Sequence, residues 1–181
     1  MRALGWRALP RSVLRFPRKD KRLLVIIETD GCFADGIEAA SGCTIRHRTL
    51  RIEDYGKIAA TFINVLTGQA VRLAPRLDIR QRVYDYATGE TRHYLAQLLA
   101  DQIMPDVKLL AIQSVQLKIP VEKLVSRAGV RVNFETCGKE IINERETIVD
   151  ERVLCQACAF GGYYQPAAVE ICLPTSHLCF F

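Results

Sequence analysis

The spacing of hydrophobic and polar positions predicts a strand and then a helix near the start of the chain. A continuous apolar run over residues 23–27 ends in polar residues, as is typical of a buried strand. Apolar residues then recur at helical spacing: Phe33, Ile37 and Ala40. We expect a short helix that begins at Asp30 or Gly31 and is closed by Gly42. The Asp30 side chain is expected to accept hydrogen bonds from free amides of the first turn.

The following stretch predicts an antiparallel meander. Alternating or continuous apolar positions mark three expected strands, at residues 49–52, 57–65 and 70–74. Turn residues at 54–56 and 67–68 separate them, and Pro75 is expected to end the last strand. We therefore expect each strand to pair with the next one along the chain.

Helical periodicity returns in the middle of the chain. Helices are expected over residues 78–86 and 91–104, with Thr91 as a cap and Pro105 as a stop. The apolar stripe of the second helix contains Tyr94, Leu95, Leu98 and Leu99. A strand over 111–119 and one or two helical turns from Pro120 complete this part.

Short apolar segments after Gly129 predict a small ribbon: residues 141–142, 148–149 and 152–154, with a turn at 150–151. Strands and helices follow one another in blocks and do not alternate regularly. The predicted fold class is therefore α+β, a mainly antiparallel sheet with packed helices, followed by a small zinc-ribbon-like β appendage.

The clearest chemical signature is the Cys-x-x-Cys pair formed by Cys155 and Cys158. Seventeen residues separate Cys137 from Cys155, which fits the template of a structural zinc site with two such pairs. Phe134 stands where the first thiol would be. We predict Zn²⁺ bound by Cys137, Cys155 and Cys158, because thiolates at this spacing can hold one ion tetrahedrally. The alternative is three cysteines without an ion.

Three thiolates leave one corner of a tetrahedral site open. Water or a partner could fill that corner, and so could residues of the C-terminal tail: Cys172, His177 and Cys179. The seven cysteines are unevenly distributed along the chain, and three have metal-ligand spacing. This pattern favours a reducing compartment over a disulfide framework, and we expect the cytoplasm.

The charge distribution separates the N-terminus from the rest of the chain. Residues 1–22 hold eight Lys/Arg and one Asp, a net charge of +7, which leaves −2 of the total +5 for the remainder. We expect a basic, disordered arm, and the alternative is a presequence-like or membrane-surface role. The slightly acidic remainder does not favour nucleic-acid binding. No apolar run is long enough to span a membrane.

A second group of polar and thiol side chains surrounds the predicted first helix: Asp30, Cys32, Asp35, Cys43 and His47. A thiol near a helix N-terminus has a stabilised thiolate, so it is a better nucleophile or metal ligand. Cys32 lies at the expected start of the helix, whereas Cys43 lies just after its expected end. Cys43 is our candidate for a catalytic residue. The alternative is that Cys32 faces the core beside Phe33 and that Cys43 is a small buried hydrophobic residue.

These residues resemble the FmdE family, named after a component of formylmethanofuran dehydrogenase. The resemblance rests on residues 28–44, 47–50 and 54–61, and on ribbon-like residues 129–133, 137–145 and 155–158. It covers roughly residues 23 to 164. It implies an α+β core, a metal site around Cys43 and a link to one-carbon or molybdenum/tungsten enzyme gene neighbourhoods.

The chain departs from the family pattern in three places. Members usually begin with a helix that bears a His-x-His-x-Cys-Pro-like motif, whereas residues 1–22 contain neither His nor Cys. Arg46 stands where members commonly have glycine, and Phe134 replaces the first ribbon thiol. We therefore expect a truncated family member or a start codon assigned at the wrong position.

These observations predict four segments: an arm at 1–22, an FmdE-like domain at 23–128, a zinc-ribbon-like element at 129–164 and an irregular apolar tail at 165–181. The predicted function is a zinc-binding, non-catalytic FmdE-like protein, accessory to one-carbon or molybdenum/tungsten enzyme metabolism. Two alternatives stay open: a cysteine- or metal-dependent enzyme centred on Cys43, and a ribbon that binds protein or nucleic acid. The expected partner is an unidentified protein or a second copy.

Overall fold

The computed structural model describes residues 22–125, 127–133 and 136–164. The chain forms two compact units, one ending at Val125 and the other beginning at Ser126. The predicted basic arm up to residue 21, Phe134 and the tail from residue 165 lie outside the described residues, so their predictions are not tested. None of the helices in the described ranges is long and apolar enough to cross a membrane.

A five-stranded sheet forms the first unit. Its strands are β1 (Leu23–Ile27), β2 (Leu50–Ile52), β3 (Ala60–Asn64), β4 (Ala70–Pro75) and β5 (Leu110–Val115), in the spatial order β2-β1-β3-β4-β5. All neighbours are antiparallel except β1 and β2. This mixture of helices with a mainly antiparallel sheet confirms the predicted α+β class.

The expected pairing of β2 with β3 is wrong. Between β1 and β2 the chain passes through helix α1 (Cys32–Ser41), which returns it so that β2 runs parallel to β1. Parallel neighbours need such a crossover, whereas a tight turn can join only antiparallel strands. The meander is correct for β3 and β4, which are antiparallel neighbours joined by a short turn.

Helix α1 begins and ends at glycines. Gly31, at φ 71°, occupies the N-terminal capping position, so the expected cap by Asp30 is wrong. At the other end Gly42 adopts the left-handed conformation, and its N–H donates to the Glu38 carbonyl over 2.8 Å. That contact is the glycine C-cap that the sequence predicts.

Apolar residues are buried on both faces of the sheet. One face packs against Phe33, Ala34 and Ile37 of α1, and its buried members are Leu23, Val25, Ile27, Cys43, Leu50, Ala60, Phe62, Val71 and Leu73. The other face buries Leu24, Ile63 and Ala70 beneath Val121, which belongs to the short helix α5 (Val121–Leu124). A strand buried on both sides is apolar at consecutive positions, which explains the unbroken run in β1.

Residues 76–109 form a helical insertion between β4 and β5. It contains α2 (Ile79–Tyr86), α3 (His93–Ile103) and the single turn α4 (Asp106–Leu109). The insertion has its own buried cluster, formed by Val83, Ala87, Ala96, Ala100, Met104 and Leu109. Its helices therefore bury a small core separate from those of the sheet.

The buried face of α3 differs from the predicted stripe. Ala96 and Ala100 are fully buried, whereas Tyr94 and Leu99 are exposed. Small side chains let two helices approach closely, so here the alanines form the contact and larger residues point outward. Thr91 is not the cap either, because Arg92 holds that position, and its N–H donates to Glu90 Oε1 over 2.9 Å.

The second unit contains two short antiparallel pairs and one helix. Strands β6 (Arg131–Val132) and β7 (Ile141–Ile142) pair, as do β8 (Thr147–Val149) and β9 (Arg152–Leu154). Helix α6 (Gln156–Phe160) follows. The turn between β8 and β9 places Asp150 and Glu151 at φ 49° and 63°, the conformation of a type I′ hairpin.

Candidate metal centre

Three cysteine sulfurs converge in the second unit. The Sγ atoms of Cys137, Cys155 and Cys158 all lie within 4.8 Å of one another. Cys155 follows β9 directly, and Cys158 lies one helical turn later in α6. Cys137 approaches from the loop before β7, where the next residue, Gly138, has φ 67°. Among the described residues, this is the one group of three His, Cys, Asp or Glu side chains that could hold a metal ion.

The start of α6 brings the Cys-x-x-Cys pair together. The Cys158 N–H donates to the Cys155 carbonyl over 3.0 Å and also lies 3.4 Å from the Cys155 sulfur. This backbone N–H lowers the pKa of the Cys155 thiol. The hydrogen bond to Cys155 raises the pKa of Cys158 to about 11. Without an ion, Cys155 is therefore the more acidic thiol of the pair.

A lysine lies close to the sulfurs. Lys139 Nζ donates to the Tyr164 hydroxyl over 3.4 Å and is 5.8 Å from the centre of that ring. The hydrogen bond to Tyr164 raises the pKa of Lys139, and the negative charges of Cys137 and Cys155 contribute to the same shift. A nearby ammonium group stabilises thiolates, which metal binding requires. Lys139 follows Cys137 by two residues, whereas no sequence signal indicates Tyr164.

The donor set fits a thiophilic ion. Zinc–sulfur bonds of about 2.3 Å at tetrahedral angles place sulfurs about 3.8 Å apart, so the present separations need to close by at most about 1 Å. Soft thiolates also bind zinc more favourably than they bind hard cations. Cys137 and Cys158 are exposed and Cys155 is partly buried, so the fourth corner of such a site can be reached from the solvent.

Cys43 has a different environment. Its side chain is 5% exposed, within the core cluster beneath α1. Its Sγ donates to the Leu23 carbonyl over 3.6 Å, and its N–H donates to Ser41 Oγ over 3.1 Å. Burial raises the pKa of the Cys43 thiol, which disfavours the thiolate needed for nucleophilic attack or metal binding. A catalytic or metal-binding role for Cys43 stays a prediction.

The other members of the second predicted group are spread around α1. Cys32 is exposed, which contradicts the alternative that it faces the core beside Phe33. His47 lies in a turn, where its ring Nδ1 is 2.8 Å from Thr44 Oγ1. The backbone N–H of His47 donates to the same oxygen over 3.1 Å. Within the described ranges, these residues do not form a group of three potential ligands with Cys43.

Comparison with known proteins identifies a family. Residues 1–118 match the family described as "FmdE, Molybdenum formylmethanofuran dehydrogenase operon". A solved structure of a tungsten formylmethanofuran dehydrogenase FmdE-like protein from Syntrophus aciditrophicus is similar. It has 20% sequence identity and a TM-score of 0.47, covering 84% of this chain and 79% of that chain. No curated protein matches. The family match spans more than half of the chain and ends before the three-cysteine group.

Proposed function

The chain belongs to the FmdE family, and on that premise we propose that it is a zinc-binding protein, accessory to one-carbon or molybdenum/tungsten enzyme metabolism. The observation that carries this proposal is the convergence of the Cys137, Cys155 and Cys158 sulfurs within 4.8 Å. The description of the family, which refers to a molybdenum formylmethanofuran dehydrogenase operon, supports the metabolic context.

We propose zinc because the site offers only thiolates and its spacing matches a structural ribbon. Zinc imposes no geometry of its own through d-electrons, so three thiolates and a fourth donor satisfy it. The surrounding strands are two or three residues long and bury little apolar surface. In small elements of this kind, the binding energy of the metal supplies much of the folding energy.

The family description supports an accessory role, and the accessible fourth corner leaves room for a donor from a partner protein. Water, a tail residue or a donor from a partner protein completes the site. The reduced thiols that it needs are maintained in the cytoplasm, the compartment that we propose. The protein itself carries out no reaction in this proposal.

A zinc titration tests the metal proposal. We expect the full-length protein to bind one zinc ion per chain in competition with a chromophoric chelator at fixed pH. Cys155→Ser should weaken binding by at least about tenfold, equivalent to about 1.4 kcal/mol, because one thiolate is lost. The matched control is Cys32→Ser, which removes an exposed thiol outside the group. The zinc proposal fails if the wild type binds no zinc or if Cys155→Ser binds as tightly as the control.

The accessory role needs a separate experiment. Deleting the gene in the source organism should lower the activity of a molybdenum or tungsten enzyme of one-carbon metabolism in cell extracts. Expression of the wild type or Cys32→Ser should restore that activity, whereas Cys155→Ser should not. Full activity in the deletion strain would contradict the accessory role but leave the zinc proposal standing.

A further inference from the structure

The two edges of the five-stranded sheet are unlike each other. In the described part of the chain, β2 and β5 are the outermost strands. Strand β2 has three residues, includes Arg51 and is followed by Glu53. Strand β5 has six residues, Leu-Ala-Ile-Gln-Ser-Val, and none is charged. The uncharged stretch extends from Leu109 to Leu117.

The outer edge of β5 lacks the usual protection against strand pairing. Edge strands are normally shortened, interrupted by a bulge or proline, or given charged side chains. Here six consecutive residues pair in register with β4, from Leu110 with Pro75 to Val115 with Ala70, so the strand has no bulge. Its four central residues, at positions 111–114, are all exposed, which leaves both of its faces uncovered among the described residues. Because no other strand within the described ranges pairs with the outer side of β5, its outward backbone groups can accept another strand.

We propose that β5 pairs antiparallel with β5 of a second copy of this chain, so that the two sheets form one continuous ten-stranded sheet. Antiparallel self-pairing about a two-fold axis normal to the sheet places Ile112 opposite Ile112 or Gln113 opposite Gln113. An uncharged strand can pair with itself in this way without bringing like charges together. An isologous contact of this type also closes after two copies and does not form a filament.

Self-pairing explains the uncharged composition of β5 better than pairing with a strand of another protein does. A strand that recognises another protein usually carries charges or pockets that select its partner. Nothing charged between Leu109 and Leu117 could provide such selection. The helices that lead into β5 also expose apolar side chains, Leu99, Ile103 and Val107. The core of a homodimer interface is more apolar than ordinary protein surface, which agrees with the uncharged composition of β5.

The sheet supplies a matched pair of variants. Ile112 on β5 is 43% exposed, and Ile52 on β2 is 40% exposed, so each is a half-exposed isoleucine on an edge strand. We expect sedimentation equilibrium to give the mass of two chains for the wild type and for Ile52→Lys. Ile112→Lys should weaken dimerisation by at least about tenfold, because both registers bring two lysines together near the two-fold axis, as direct or diagonal neighbours. All samples contain reductant, so that no disulfide can link the chains, and the measurement is repeated with a zinc chelator to exclude a shared metal ion.

Three results of this experiment would overturn the proposal. These are a wild type that stays monomeric at every concentration, an Ile112→Lys protein that dimerises as well as wild type, and an Ile52→Lys protein that dissociates to the same extent. Hydrogen exchange of the wild type gives an answer that does not depend on the folding of any variant. Amides of residues 110–115 should exchange more slowly in concentrated than in dilute solution, and concentration-independent exchange there would also refute self-pairing.

Discussion

A bidentate ion pair connects two strands that are not neighbours. Glu28, directly after β1, accepts from Arg72 of β4, with Nε 2.5 Å from Oε1 and Nη2 2.7 Å from Oε2. Strand β3 lies between β1 and β4. The side chains are 12% and 29% exposed, so solvent only partly screens the pair. It therefore contributes more than an exposed surface ion pair does.

We predict that Glu28→Gln lowers the free energy of unfolding by about 1–2 kcal/mol at neutral pH, because a hydrogen-bonded charge pair becomes a weaker neutral contact. The Arg72 hydrogen bond lowers the pKa of Glu28 below its ordinary value of 4.5. The contribution of the pair is therefore complete above about pH 4.5 and is lost as the pH falls through the folded-state pKa. Urea titrations across the acidic range measure the difference.

The matched control for that series is Glu53→Gln, which changes an exposed carboxylate after β2. The control should stay within about 0.5 kcal/mol of wild type. A Glu28→Gln penalty that stays constant as the pH falls well below 4.5 would contradict the assigned role of Arg72.

The two cysteines flanking α1 should differ in reactivity. We predict that an alkylating reagent labels exposed Cys32 rapidly and Cys43 slowly. A chelator should not change the labelling rate of Cys43. Cys43 is buried and its pKa is raised, so little thiolate is accessible. Mass spectrometry of digested samples measures both rates. Fast labelling of Cys43 after chelation would instead indicate a metal ion at that residue.

At the scale of elements, the zinc affinity of the ribbon depends on a ligand position that holds no thiol. Phe134 stands three residues before Cys137, where a second Cys-x-x-Cys pair would have its first thiol. We predict that Phe134→Cys tightens zinc binding by at least about tenfold, or about 1.4 kcal/mol, because it supplies a fourth thiolate. Competition titration against a chromophoric chelator measures the change.

An unchanged affinity in Phe134→Cys would mean that another donor already fills the corner or that position 134 points away. Titrating tail variants in which Cys172, His177 and Cys179 are each changed to Ala separates these cases. A loss of affinity in one of them identifies the existing fourth ligand.

Individual elements were predictable from local sequence to different extents. The positions of β1 and α1 follow from one apolar run and two glycines, because these signals act within a few residues. The contact between α2 and α3 was not predictable in this way. Its interior contains Ala96 and Ala100, which a hydrophobic pattern ranks below neighbouring leucines, and only the partner helix determines which face is buried.

At the scale of the whole molecule, the charge is concentrated in the N-terminal arm. We predict that deleting residues 1–21 changes the melting temperature by only a few degrees, since this basic segment has little periodic apolar content. The deletion retains Arg22, whose carbonyl accepts from the Val65 N–H over 2.8 Å. A fall of more than roughly 10 °C in a thermal melt would show that the arm stabilises the folded chain.

Long-range features differ in how far the sequence reveals them. The grouping of Cys137, Cys155 and Cys158 was predictable because metal-ligand spacing is a property of the sequence itself. Strand order was not, because no local signal shows that α1 returns the chain to place β2 beside β1. The Lys139–Tyr164 contact was equally invisible, since it depends on how the residues after α6 turn.

The helical insertion between β4 and β5 affects the order in which the chain folds. Pairing Pro75 with Leu110 requires closure of the loop formed by residues 76–109, and the entropic cost of loop closure rises with the length of flexible chain. Contacts between α2 and α3 are local, and local contacts form fast. Once the helices have packed, they shorten the flexible path between the strands. We therefore expect β5 to join the sheet late in folding, after α2 and α3 have packed. The strand that we propose to pair with a second chain is thus a strand that joins its own sheet late.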